Sequence, residues 1–290
     1  MFAAKLLYLQ IASIAGSGIA FASISQNNTD ELYCKPHLCR SYNGTGYVVR
    51  GHIGCHNNGS LSLACGNAQM VDMNQRRINL ILDLHNAARN RIAIGMLPGY
   101  KPASAMHVVK WDKELEYLAS LNVRTCRFEH DSCRNTDRFS FSGQNIGYLW
   151  QTIPIRAISR RIKLIVGKWF FEYPDAGQEF IEAYTSHPEG KIIGHFTQMV
   201  SDRVKRVGCA AIRYTSTETN FEYKFLMTCN YDFSNLNQGR VYASGTPASN
   251  CPRRKSGRYE GLCDWDEDYL DSSEESNEIF FNSLDIPSLL

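Results

Sequence analysis

Ten cysteines constrain the fold of this chain more than any other feature, because all of them follow a segment that resembles a secretory signal. Residues 1–22 contain one early lysine, an interrupted apolar run and an exit of small residues. We therefore expect cleavage there rather than a membrane anchor. An even number of cysteines after a signal peptide predicts disulfide bonds and secretion into an oxidising, extracellular compartment. The cysteines are Cys34, Cys39, Cys55, Cys65, Cys126, Cys133, Cys209, Cys229, Cys251 and Cys263.

The cysteine spacing argues against structural zinc. Such sites favour C-x-x-C pairs, whereas the closest cysteines here are separated by four and by six residues. Sequons for N-glycosylation begin at Asn27, Asn43 and Asn58, which fits a secreted chain. No segment after residue 22 is apolar enough to suggest a transmembrane span, and we expect none.

Charge divides the chain into two unequal parts. Residues 260–290 contain ten acidic residues and no lysine or arginine. Residues 1–259 contain 31 basic and 19 acidic residues, a net charge of +12. The composition of the end favours a disordered acidic tail in solvent. The alternative is a tail that folds back on the basic body and screens it from anionic partners over roughly 8 Å at physiological salt.

Three helices are predicted in the middle of the chain. Residues 74–95 carry apolar side chains at helical spacing, with Gly95 as the stop. A second helix should follow Trp111, with Asp112 near its cap. The third should extend from Ile158 to Tyr173 and end at Pro174.

Two strands should follow these helices, at residues 207–214 and 223–231, with a polar loop between them. Helices that bracket neighbouring strands predict an α+β sandwich. A disulfide between Cys209 and Cys229 would join the two strands.

Four segments carry a resemblance to a known family. They are GHFTQMV at 194–200, CRFEHDSC at 126–133, SGQNI at 142–146 and CNY at 229–231. Together they resemble the CAP superfamily of cysteine-rich secretory, antigen 5 and pathogenesis-related proteins, and specifically insect antigen 5. The resemblance covers about residues 33–242.

The resemblance implies a three-layer α-β-α sandwich, the CAP domain, over residues 74–242. It also implies a disulfide-rich N-terminal extension at 23–73, and residues 243–290 form a C-terminal extension that ends in the acidic, disordered tail. Cys251 and Cys263 lie beyond the matched region and are left to pair with each other. Position by position, the resemblance pairs Cys34 with Cys55, Cys39 with Cys133, and Cys65 with Cys126.

In this family a central cleft is lined by two histidines and two acidic residues, which map onto His130, Gln144, Glu172 and His195. Gln144 stands where many relatives have glutamate, and a neutral amide is neither a base nor a counter-charge for a cation. Two imidazoles and a carboxylate could still hold zinc with an open coordination position. The site is therefore read as a zinc site at His130 and His195, or as a hydrogen-bonded polar cluster that needs no cofactor.

His85 lies on the apolar face of the first predicted helix, and we interpret it as a packed core residue rather than a third metal ligand. Some family members hold lipid in a channel between the first and third helices. Sequence alone does not separate channel walls from core packing. No Arg-Gly-Asp tripeptide occurs, and secretion disfavours a nucleic-acid partner despite the basic body.

Two positions depart from the family pattern: Ser201 replaces a tryptophan, and residues 232–235 (DFSN) replace a Gly-Pro turn. We interpret the chain as a secreted antigen 5-like protein that binds an extracellular protein, a lipid or a small hydrophobic ligand without catalysis. The alternative is a zinc-dependent hydrolase with His130 and His195 as ligands and Glu172 as base.

Overall fold

The helices form where apolar side chains recur at helical spacing. In a computed structural model that describes residues 26–42, 44–216 and 222–266, the first predicted helix buries Ile78, Ile81 and Ile92 in the core. Asn74 caps the start of this helix by accepting a hydrogen bond from the N–H of Arg77. The proposed signal peptide and residues 267–290 of the acidic tail lie outside the described residues.

The elements are numbered in chain order. The helices are α1 (Gln26–Tyr33), α2 (Gln75–Ala93), α3 (Lys113–Val123), α4 (Ile158–Phe170), α5 (Tyr173–Glu182) and α6 (Gly194–Met199). Short 3₁₀ helices lie at Pro36–Cys39 and Pro188–Gly190. The strands are β1 (Arg40–Tyr42), β2 (Tyr47–Val49), β3 (Cys65–Met70), β4 (Met106–His107), β5 (Lys110–Trp111), β6 (Gly143–Gln151), β7 (Arg206–Ser216), β8 (Tyr223–Tyr231), β9 (Arg254–Lys255) and β10 (Leu262–Asp264).

The main sheet has the strand order β3-β7-β8-β6, and β5 pairs in parallel with β7. The two predicted strands correspond to β7 and β8, which pair antiparallel and place Cys209 directly opposite Cys229. These two cysteines form a disulfide. The strands extend by at most two residues beyond the predicted bounds.

Helices cover both faces of this sheet. Helix α3 packs on β7 and β8, while α4 and α6 pack on β6 from the other side and α2 packs against α4. Both approaches are so close that they require glycine. A Cβ atom on Gly208 would lie 2.1 Å from the backbone nitrogen of Glu116, and one on Gly147 would lie 2.1 Å from the side chain of Ile165. The α+β class and the three-layer sandwich are confirmed.

The N-terminal extension is attached to the sandwich through β3, which pairs with β7 in the main sheet, and through cysteines. Residue 126 of the loop after α3 is joined to Cys65, and residue 133 of the same loop is joined to Cys39. Cys34–Cys55 and Cys251–Cys263 complete the set, so the structure contains the five pairs expected from the sequence. The exposed side chain of Asn58 lies in this extension, Asn27 lies in α1, and Asn43 falls outside the described residues.

The C-terminal extension packs back onto the sandwich. β10 pairs in parallel with β4, and Trp265 follows it into the core with 2% of its surface exposed. The indole nitrogen of Trp265 donates to the carbonyl of Val108 at 2.7 Å. Residue 266, after which the acidic tail continues, is therefore held at a fixed place on the body.

The predicted end of the third helix was wrong. α4 ends at Phe170, and Pro174 lies in the first turn of α5 instead of closing α4. Proline is tolerated in a first turn because that N–H has no helical acceptor. Glu172 consequently lies in the short link between two helices. Within the described residues, every helix is too short or too polar to cross a membrane.

Candidate functional site

Four different elements carry the side chains expected in the cleft. His130 lies in the disulfide-bonded loop after α3, and Gln144 lies on β6. Glu172 lies between α4 and α5, and His195 is the second residue of α6. The structure joins them into two hydrogen-bonded pairs, His130 with Gln144 and His195 with Glu172.

The Glu172 carboxylate accepts three hydrogen bonds from the start of α6. Its Oε1 lies 2.5 Å from Nδ1 of His195, and its Oε2 accepts the backbone N–H groups of His195 and Phe196, each at 3.0 Å. These N–H groups belong to the first turn of α6, where backbone donors have no partner within the helix. The carboxylate therefore orients the imidazole and satisfies the start of the helix at the same time.

The amide of Gln144 has only one orientation that satisfies its neighbours. Its nitrogen donates to Oδ2 of Asp131 at 2.8 Å and to Oδ1 of Asn230 at 2.9 Å. A carboxylate oxygen accepts and does not donate, so the amide nitrogen must face Asp131. Oε1 of Gln144 then faces Nδ1 of His130 at 2.7 Å, which makes Nδ1 the donor.

Both imidazoles thus hold a proton on Nδ1 and keep the lone pair on Nε2. A histidine whose Nδ1–H is held by an oxygen acceptor is the usual form of a metal ligand. Burial lowers the pKa of His130, and the hydrogen bond to Gln144 partly offsets this.

Two further residues, Trp169 and Asn145, contact the ring or the backbone of His195. Trp169 stacks on the imidazole with ring centroids 5.9 Å apart and an interplanar angle of 12°. Asn145 donates to the backbone carbonyl of His195 at 3.1 Å. Asn145 follows Gln144 on β6, so its place in the SGQNI segment was the only sequence signal for this contact.

His85 lies in the core and not in the cleft. Its Nδ1 lies 2.8 Å from the carbonyl of Ile81, and its Nε2 lies 2.9 Å from the hydroxyl of Tyr231. Burial lowers the pKa of His85 to about 4, so the ring is neutral at physiological pH. Both nitrogens are occupied, as expected for a packed core histidine.

Two clusters of cysteine and histidine, one within the N-terminal extension and one between it and the loop after α3, have the spacing of metal ligands. One contains His56 and the other contains His52, each beside a pair of cysteines. In both clusters the cysteines are joined to each other as Cys34–Cys55 and Cys39–Cys133. A disulfide offers no thiolate, so neither cluster holds a metal in the oxidised protein.

A cavity of about 540 Å³ lies between the N-terminal extension and the loop that carries His130. Its lining includes His56, Glu129, His130 and Asp131. These polar groups suit a polar ligand or a segment of a partner better than an apolar molecule. His130 therefore stands between Gln144 on one side and an accessible polar cavity on the other.

The turn at residues 232–235, which departs from the family pattern, holds α6 in place. Asn235 donates to the carbonyl of Gly194 at 3.0 Å and to the hydroxyl of Thr197 at 2.9 Å. The side chain of Gln198 on α6 donates back to the carbonyl of Phe233 at 2.6 Å. The unusual turn thus positions the helix that presents His195.

Asp232 starts this turn and gives a pH-dependent prediction. Burial raises the pKa of Asp232 from 3.8 to about 6, although its carboxylate accepts the N–H of Lys205. Between these pH values the folded state keeps a proton that the unfolded state has lost, so stability falls as the pH rises. We expect Asp232→Asn to remove this loss and to gain stability relative to the native chain across this window.

Urea unfolding of both proteins at a series of pH values measures this difference. Asp72→Asn is the control, because the carboxylate of Asp72 is 79% exposed. Parallel pH profiles for the native chain and Asp232→Asn would contradict the prediction.

Comparison with known proteins identifies one family whose matched region contains all four predicted cleft residues. The family model described as "Cysteine-rich secretory protein family" (CAP) matches residues 82–231. The chain is 43% identical over 191 residues to "Antigen 5 like allergen Cul n 1" from Culicoides nubeculosus, covering 65% of this chain and 86% of that protein. It is 35% identical over 239 residues to "Venom allergen-1" from Aedes aegypti, covering 80% and 86%.

Two solved structures share the fold at low sequence identity. The structure titled "Crystal structure of NaASP2 with Zn2+" aligns with a TM-score of 0.54 and 21% identity, covering 69% of this chain and 99% of that one. "Structure of BmVAL-1" aligns with a TM-score of 0.57 and 20% identity, covering 67% and 96%. At these identities the likeness concerns the fold alone.

Proposed function

Because this chain belongs to the CAP family of cysteine-rich secretory proteins, we propose that it acts outside the cell by binding a ligand or partner and not by catalysis. Five disulfides support a protein that works in an oxidising compartment. Two of its relatives are named as an antigen 5-like allergen and a venom allergen, which is consistent with secretion.

The state of Glu172 is the observation that carries this proposal. A hydrolytic general base needs a free lone pair within reach of a water molecule. The carboxylate of Glu172 instead receives two backbone N–H groups and the ring of His195. The second acidic position of the cleft is the neutral Gln144, which cannot take up a proton at physiological pH. The hydrolase alternative, which uses Glu172 as the base, is therefore less well supported than binding.

The donor set suits a weakly held zinc ion. His130 and His195 would be the ligands through Nε2, because Gln144 and Glu172 occupy both Nδ1 atoms. A zinc ion bound by only two protein atoms keeps open positions for groups of a partner. The solved structure named with Zn²⁺ shares only the fold, and the proposal of zinc here is compatible with it. Zinc would then link this surface to an external ligand and would not be needed for folding.

A hydrophobic ligand is less well supported by the packing. The apolar side chains that would line a channel between α2 and α4 are at most 6% exposed and belong to one core cluster. They are Ile78, Ile81, Ile162, Ile165 and Val166. Lipid extracted from the purified protein at a stoichiometric amount would contradict this interpretation.

Zinc titration of the oxidised protein by calorimetry tests the proposal. We expect His130→Ala combined with His195→Ala to weaken zinc binding at least about ten-fold, because both ligands are lost. His37→Ala is the matched control, since this exposed imidazole also pairs with a carboxylate, Asp137 at 3.0 Å, but lies outside the cleft.

Assays with ester and peptide substrates, with and without zinc, separate binding from turnover. We expect no hydrolysis above the rate in buffer. Hydrolysis that depends on zinc and disappears in Glu172→Gln would establish the hydrolase in place of the binding protein. Unchanged zinc affinity in the double variant would remove the metal from the cleft.

A further inference from the structure

The outer face of α4 concentrates positive charge. Between Asp137 and Glu172 the sequence contains no acidic residue. The exposed side chains of the face, which we define as Arg156, Arg160, Lys163, Leu164, Lys168 and Phe171, include four cations. Arg160, Lys163, Leu164 and Lys168 recur at helical spacing, so they lie on the same side of α4, while Arg156 precedes the helix and Phe171 follows its last residue.

These four cations have no carboxylate partner among the described residues. The structure pairs other cations with acids, such as Arg77 with Asp72 and Lys101 with Glu182, but none on the outer face of α4. Unpaired like charges on one helix repel one another and lower its stability. An anionic partner would therefore bind here favourably.

Apolar side chains interrupt the cations on this face. Leu164 is 41% exposed and Phe171 is 67% exposed. A partner that covers the face must therefore offer both acidic and apolar side chains. A polymer that carries only charge would leave these two side chains in water.

The C-terminal segment of the chain has this composition. Residues 267–290 contain seven acidic residues and no lysine or arginine, and the run Ile279-Phe280-Phe281 follows six of the seven acids. The cations beside the start of the segment are already paired, Arg253 with Asp266 and Arg254 with Asp264. The remaining acids must therefore find cations elsewhere or stay in solvent.

We propose that residues 267–290 bind the outer face of α4 and cover its cations. Trp265 fixes the start of the segment on the body, and 24 residues reach at most about 80 Å when extended. A tether of this length gives a local concentration in the millimolar range. A contact with a Kd of about 0.1 mM for the separate segment would thus be mostly formed within the chain. Anionic surfaces would reach the face only after the segment is displaced.

Carbodiimide coupling in the full chain tests the contact, because it joins lysine amines to carboxylates that touch them. We expect residues 267–290 to couple to Lys163 and Lys168 about ten-fold more than to Lys113, as the tethered contact raises local concentration. Lys113 lies on α3 and is 71% exposed, so it controls for random collision. Peptide mapping by mass spectrometry locates each coupled pair.

Charge reversal in the full chain provides the second measurement. Arg156→Glu combined with Arg160→Glu keeps both lysines and should reduce their coupling to the segment about ten-fold. Arg91→Glu on the exposed side of α2 should leave it unchanged. All substituted side chains are exposed, and thermal unfolding checks that each variant remains folded.

Coupling that is spread evenly over exposed lysines would overturn the proposal. It would also be overturned if the α4 variant coupled as well as the native chain. Vesicles of phosphatidylcholine with phosphatidylserine test another occupant. If they bind the full chain through α4 while its lysines show no coupling to the segment, the face docks on an anionic surface instead.

Discussion

Replacing Arg89 with methionine should lower the free energy of unfolding by about 3–5 kcal/mol, because it leaves several buried carbonyl groups without a donor. Arg89 is fully buried on α2. Its guanidinium group donates to four backbone carbonyls at 2.8–2.9 Å. They belong to His107, Met199, Ser201 and Val204.

The charge of this side chain persists despite its burial. Burial lowers the pKa of Arg89 to about 10, which still leaves it protonated at physiological pH. The carboxylates of Asp202 and Asp232 oppose this effect of burial. Methionine fills a similar volume, so the expected loss reflects the missing donors and charge rather than a cavity.

Urea unfolding with an unchanged m-value measures this loss. Arg91→Met is the control, because Arg91 lies two residues further along α2 and is exposed. We expect it to change stability by less than about 0.5 kcal/mol. A loss below about 1 kcal/mol for Arg89→Met would show that water or relaxed backbone replaces the guanidinium donors.

The variant should also affect the cleft. Two of the four carbonyls lie at the end of α6 and just after it, on Met199 and Ser201. Ser201, which stands where the family usually has a tryptophan, accepts a hydrogen bond from Arg89 through its backbone carbonyl. If Arg89 holds the end of α6, its loss should weaken zinc binding at His195 as well as lower stability.

Secondary structure was predictable where the spacing of apolar side chains within one segment was enough to identify a helix or a strand. The spacing of Ile78, Ile81 and Ile92 places them on one face of a helix, and the structure buries that face. The predicted bounds of the two central strands lie within two residues of the observed ones, and the strand register places Cys209 opposite Cys229. These features depend on periodicity within a short segment.

The error at Pro174 has a physical cause. Proline ends one helix as readily as it begins another, because the missing N–H is harmless in a first turn. The sequence between residues 158 and 182 is apolar enough on one side to continue either helix. Only tertiary packing places the break at Phe171 and Glu172.

The four predicted cleft residues form two hydrogen-bonded pairs in the structure, but the chemistry of these pairs was not predictable. A family resemblance implied His130, Gln144, Glu172 and His195. It did not indicate that Glu172 would accept the first N–H groups of α6, since that depends on how two distant helix ends meet. Nor did it indicate which nitrogen of each ring carries the proton. Both facts require side-chain geometry, and both bear directly on whether the cleft can catalyse.

Replacing Trp265 with alanine should cost about 3–5 kcal/mol, the usual range for removing a buried tryptophan. Its ring lies in the main core and is flanked by the cations of Lys110 at 4.4 Å and Arg206 at 4.9 Å. Its indole nitrogen donates to the carbonyl of Val108. Trp150→Ala is the control, since Trp150 is 60% exposed.

Two outcomes of this substitution have different meanings. The backbone N–H of Val108 donates to the carbonyl of Cys263 at 2.9 Å, so its hydrogen exchange reports on the pairing of β10 with β4. If the C-terminal extension belongs to the cooperative fold, Trp265→Ala should lower global stability and the protection of Val108 together. Faster exchange at Val108 with unchanged global unfolding would show that the extension opens separately. In that case Trp265 would not fix the start of residues 267–290 on the body. The local concentration of this segment near α4 would then be lower, and the proposed contact would be weaker.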